Sequence, residues 1–236
     1  MATFTIAPPR DVRTARTGAV KTYIAGGRIP FGAAVIRAGA GKVKAAILED
    51  TDLVIGFALE DEETHLYSGF YESGEPVPVA LTGTVNGLMI AIDDYDLLEG
   101  DYLEVADITS GTNTSELGLL AEAGNHAGET KTLHTVAQLL EDLALKDETY
   151  KAPASTPTAG TNTIAMTSGD PTIMGLHVGD YILIRDSDGN AAGQVNRITA
   201  ISDNGSTASL TVLIPISVAA ADYVHAIRQA EVLIVK

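Results

Sequence analysis

Residues 26–42 (GGRIPFGAAVIRAGAGK) hold five glycines, the last in a Gly-Lys pair, the raw material of a phosphate-binding loop. Such a loop needs a glycine five residues before its Gly-Lys pair, so that backbone N–H groups face the phosphates. It also needs a Ser or Thr after the pair to hold Mg²⁺. Here those two positions are Ile36 and Val43. A dinucleotide loop would open a helix, whereas Lys42–Leu48 is short and partly alternating. Gly39-Ala40-Gly41 therefore reads as a hairpin turn, where glycine supplies positive φ at low cost.

Other chemistry-bearing groups fail similar tests. Asp186-Ser-Asp188-Gly189-Asn190 starts like a calcium loop, but Ala191 and Arg197 occupy the places of the required glycine and bidentate Glu. With strands on either side, Asp188-Gly189 is hairpin chemistry. The carboxylates Glu60–Glu63 and Asp93, Asp94, Asp96, Glu99 and Asp101 are dense enough for a divalent ion, yet they equally suit solvated loop tips. His65, His126, His134, His177 and His225 never fall at HxH or HxxxH spacing, and no Gly-x-Ser-x-Gly elbow exists. With no cysteine, thiolate metal sites, disulfides and cysteine nucleophiles are excluded. The residues give an enzyme reading no support, and no cofactor or metal is expected.

Charge offers a different lead. The chain carries −16 overall, which argues against nucleic acid as partner. Residues 1–44, however, hold eight bases against one acid, a balance of +7, leaving −23 for the rest. Arg10, Arg13, Arg16 and Lys21 are the candidate partner-binding residues of this basic segment. A cationic arm on an acidic body suits docking on acidic surfaces, including another copy of itself; the plain alternative is a set of solvated surface bases. Residues 1–18 have no apolar signal-peptide region, and no 18-residue apolar run occurs, so no membrane partner and no export are expected. The Asn113 and Asn204 glycosylation patterns then have no secretory route behind them.

The elements that would position these groups are mostly strands. Residues 1–19, with Pro8-Pro9 and scattered Thr and Arg, read as an extended N-terminal arm. Residues 20–150 form a β-rich domain, with short apolar runs at 22–25, 33–37, 42–48, 53–59, 77–81, 85–92 and 102–106. One helix is expected at 133–146, with Leu133, Val136, Leu140, Leu143 and Ala144 on one face. Residues 151–160, rich in Pro, Ala, Ser and Thr, read as a linker. Residues 161–236 return to strands at 163–166, 181–185, 194–201, 208–214, 223–227 and 232–235, as a second small β-barrel domain with a core of its own. The fold class is thus mainly β: a small barrel or sandwich with one helix, plus a second barrel. Gly-Asp-Tyr occurs at 100–102 and again at 179–181, each time leading into a strand, but three residues do not establish a duplication.

Several of these segments resemble capsid decoration, or cement, proteins of tailed bacterial and archaeal viruses. The resemblance lies in Ala25–Ile36, Ile55–Ala58, Val77–Val79 leading to Gly83–Val85, and Glu99–Tyr102, and covers residues 20 to about 125. It implies a non-enzymatic virion protein, often trimeric, that sits on the outer capsid surface and clamps neighbouring major capsid subunits. An extended terminal arm would reach a neighbour. Two other classes stay open: a tail-tube or head–tail joining protein, and a surface carbohydrate-binding module.

Overall fold

The computed structural model describes residues 18–47, 53–61, 68–90, 97–106, 117–123, 135–143, 151–153, 158–166, 175–186, 194–203, 208–219 and 222–235. They are nearly all β, in small closed sheets. The first barrel runs β1 (Val20–Ala25), β4 (Lys42–Ala45), β3 (Ala34–Arg37), β5 (Val54–Ala58) and β7 (Pro76–Ala80), and closes by pairing β7 back on β1. Alternation places Tyr23, Ala25, Val35, Val43, Val77 and Val79 inside it. Two short strands, β2 (Ile29–Pro30) and β6 (Phe70–Tyr71), pair beside it. The Gly39–Gly41 segment is the expected turn: Ala38 N–H donates to Lys42 C=O (3.0 Å), and both glycines take positive φ.

A second ring is formed by β8 (Thr84–Ile90), β10 (Leu120–Glu122), β9 (Tyr102–Val105), β11 (Ala137–Leu139) and β17 (Tyr223–Ile234). Each pairs with the next, and β17 pairs with β8 to close it. Its core also takes the outward side chains of the first barrel, Ala34, Ile36, Val54 and Phe57, so β3 and β5 are covered. The helix expected at 133–146 is corrected here. Among its described residues, 137–139 are strand, held on one edge by β9 and on the other by β17. Ala137 and Leu139 point inward with Gln138 between them, and hydrogen bonds on both edges override a local 3.6-residue pattern.

The sheet continues from β17 through β14 (Tyr181–Arg185), β15 (Asn196–Asp203) and β16 (Ala208–Val218) to β13 (Thr158–Met166). Ile164, Ile182, Ile184, Ile198, Leu210, Val212 and Val224 form its own cluster. β12 (Lys151–Pro153) pairs with β17 as well, so the expected linker at 151–160 contains strand at both ends. Its small residues and prolines do not prevent pairing, because among the described residues short β12 pairs only with β17. β17 runs between the clusters on the two sides of that segment. Tyr223–Ile227 pairs with β14, and Ile227–Leu233 pairs with β8. One face of β17 supplies Val224 and Ala226 to the last cluster, then Ala230 and Val232 to the second ring. A further cluster joins Phe70, Leu88, Ile90 and Leu119 to Tyr181, Leu183 and Ile227.

The Gly-Asp-Tyr recurrence marks one turn used repeatedly. Leu98 N–H donates to the Asp101 carboxylate and His177 N–H to that of Asp180, both at 2.8 Å. Gly100 and Gly179 sit at φ 99° and 100°. Glu72–Glu75 repeats the pattern before β7, with Glu72 N–H on the Glu75 carboxylate (2.6 Å) and Gly74 at φ 96°. In each case the glycine N–H then reaches a neighbouring strand: Ala25, Leu139 or Ile198. A carboxylate that satisfies the turn's first N–H, and a glycine tolerating positive φ, explain the residue choice.

Candidate interaction surface

Gly18 and Ala19, the last residues of the segment expected to form a basic arm, are fixed to the first barrel. Gly18 N–H donates to Thr82 C=O (3.0 Å), Ala19 N–H to Thr82 Oγ1 (3.0 Å), and Leu81 N–H to Ala19 C=O (2.7 Å). Arg10, Arg13 and Arg16 lie outside the described residues. Lys21 is exposed on β1, with its Nζ 5.2 Å from the centre of the Tyr23 ring. That distance suits a cation–π contact and holds the charge at the barrel end where the arm joins.

Beyond the arm lies the outward face of β4–β1–β7, the part of the first barrel that the second ring leaves uncovered. Tyr23 and Ala25 turn inward, which sends Val20, Thr22 and Ile24 outward. Register sets Ile24 between Lys42 and Pro76, and Thr22 beside Pro78. Val20 is 47% exposed and Ile24 38%, both high for large aliphatic side chains. Lys42 and Arg37 are exposed at the same hairpin, and Lys44 is half-buried. Arg28, by contrast, is engaged within the fold: its guanidinium meets Glu72 at 2.7 Å and lies 5.8 Å from the Phe70 ring. Of the bases of residues 18–44, Arg28 is thus paired with Glu72, Lys42 stands on the partly apolar outward sheet face beside Ile24, and Lys21 and Arg37 are exposed near it.

The other candidates have structural work. Asp101 and Asp180 accept turn N–H groups, and Asp142 accepts the N–H of Glu99 (2.8 Å). His177 stands exposed, 3.6 Å from Asp180, while His225 is buried on β17. His65, His126, His134, the Asp93–Asp96 carboxylates and Asp188–Asn190 fall outside the described residues. Among the described residues no group of three His, Asp or Glu is placed to hold a metal ion, and no helix is long and apolar enough to cross a membrane. Tyr181 is locked at the junction, its hydroxyl donating to Gly69 C=O at 2.6 Å and its ring edge-on to Phe70. Burial pushes its phenol well above the usual range, against the opposing pull of Arg197.

Neither a protein-family model nor a curated protein sequence matches the chain. The sequence reading missed Val20 and Ile24. The alternation in Val-Lys-Thr-Tyr-Ile-Ala could have flagged them, once Tyr23 and Ala25 were assigned to the interior.

Proposed function

We propose that the protein is a non-enzymatic virion structural protein that decorates the outside of an icosahedral capsid and clamps neighbouring major capsid subunits. One observation carries this reading. On a molecule of −16 net charge, a basic arm is pinned at Thr82 beside an exposed sheet face bearing Lys42, Val20 and Ile24. Such a surface attracts an acidic partner over distance and then buries apolar area against it. Behind it the sheets share β17 and adjoining cores, an arrangement that suits a clamp. The resemblance at Ala25–Ile36 and Glu99–Tyr102 supplies the class of partner. Self-association, with a trimer as the expected form, belongs to the same reading.

The test is co-sedimentation with capsids stripped of surface proteins, followed by electron microscopy of the particles. Saturable binding to the outer shell is expected. Replacing Arg10, Arg13 and Arg16 with Gln should weaken binding roughly 3- to 150-fold, on the scale of three exposed ion pairs. Raised salt should weaken the wild type likewise. Density at the tail or portal instead would assign the protein to the tail-tube or head–tail joining class. No binding to any particle would overturn the reading.

A further inference from the structure

We propose that a second copy of this chain docks on the outward face of β13–β16–β15. None of the nine residues of β13 or the eleven of β16 is ionisable, in a chain with 31 acids and 15 Lys and Arg. The pairing sets Thr163, Thr211 and Ala200 in one row and Ala165, Ser209 and Ser202 in the next. Thr163, Ala200 and Ser202 are exposed, and Leu213 is 37% exposed further along β16. Among the described residues β13 pairs only with β16, so the sheet ends there.

Charge selects the occupant. Two bodies of −16 repel, and a contact that buried their carboxylates would cost several kcal/mol for each unpaired ion. The Thr163 and Ala165 rows bury none; the ionisable residues of β15, Arg197 and Asp203, lie outside them. The short side chains of these rows let another sheet approach closely, and paired hydroxyls serve equally as donors and acceptors for an identical surface. A basic partner would gain more on the acid-rich remainder of the molecule. A like-charged one is accommodated where charge is missing, and the like-charged partner always present is another copy.

The capsid reading also expects self-association; this inference adds the face that carries it, and its salt dependence has the opposite sign to that of arm docking. Arm docking on an acidic surface weakens as salt rises, whereas association through a neutral face strengthens, because salt screens only the repulsion between the bodies. From about 50 mM to about 500 mM salt the Debye length falls from about 14 to about 4 Å. Sedimentation equilibrium of the full chain across that span should show association tightening several-fold, and the limiting mass gives the number of copies. Thr163→Glu and, separately, Ser209→Glu should each weaken association at least about tenfold with an unaltered circular dichroism spectrum. Thr22→Glu, on the β1 face, should leave it unchanged. Two sites keep the test standing should one variant misfold. A monomeric wild type at all concentrations, glutamate variants that associate like wild type, or association that weakens with salt would each overturn the proposal.

Discussion

Replacing Leu103 and Ile184 with alanine, one at a time, asks whether β17 makes the second ring and the following sheet a single cooperative unit. Both side chains are fully buried, Leu103 in the cluster that includes Val232 and Ile184 in the cluster that includes Val224 and Ala226. Each substitution removes three carbons from a closed core and leaves a cavity, costing about 2–5 kcal/mol. At about 2–4 °C per kcal/mol for a chain of this size, each should lower Tm by about 4–20 °C. Differential scanning calorimetry is the assay. Since Val232 and Val224 lie on the same strand, neither cluster can lose its side of β17 while the other keeps an intact partner. Either variant should therefore displace one common transition. Truncation after Gly160 removes β17 from both β8 and β11, so in residues 1–160 the second ring should fail to close and the cooperative transition should be lost. Two transitions in the wild type, with only one moved by Ile184→Ala, would refute the reasoning and restore two independent domains.

Tyr181→Phe keeps the ring against Phe70 and removes the 2.6 Å hydrogen bond to Gly69 C=O, which still accepts from Phe31 N–H (3.1 Å), and should cost about 0.5–1.5 kcal/mol in chemical denaturation. Gly118→Ala would place a Cβ 2.6 Å from the backbone oxygen of Ala34 at φ 63°; soluble yield should collapse, while Gly39→Ala, with open space at its Cβ position, should be milder. Burial raises the phenols of Tyr71 and Tyr181 above the usual 10.0, with Asp61 and Glu60 adding to the effect at Tyr71. The folded chain thus holds these protons more tightly than the unfolded one, so their contribution is whole below about pH 10 and is lost as pH climbs through the folded values. An ultraviolet titration should show at least two tyrosines ionising only with alkaline unfolding, and ionisation of every tyrosine before unfolding would count against it.

Much of the strand content was legible because alternation and glycine turns are local signals. The runs at 22–25, 33–37, 42–48, 53–59, 77–81, 85–92 and 102–106 all correspond to observed strands. What failed was decided at a distance. Ala137–Leu139 is strand because β9 and β17 hold it on both edges, and β17 lies about 90 residues further along the chain. The apolar runs at 223–227 and 232–235 looked like two strands, because Arg228, Gln229 and Glu231 interrupt them. They are one, and the interruption is where β17 passes from β14 to β8. For the candidate surface, the net charge of residues 1–44 could be counted directly. The withdrawal of Arg28 into its pair with Glu72, and the outward turn of Ile24, needed the fold.

The position of β17 in the chain has a consequence for how the protein is made. It follows every other described strand, and the second ring cannot close without it. The first barrel, residues 20–80, can close soon after its last strand clears the ribosome. At about 5–20 residues per second, synthesis of the roughly 140 residues between β8 and β17 leaves β8 waiting for about 7–30 s, and β11, about 90 residues before β17, for about 5–18 s. During that interval the nascent chain exposes the aliphatic lining of Val85, Met89, Leu103 and Leu120. Translation speed and chaperone supply, rather than final stability alone, should then set how much of the protein reaches its folded form in a cell.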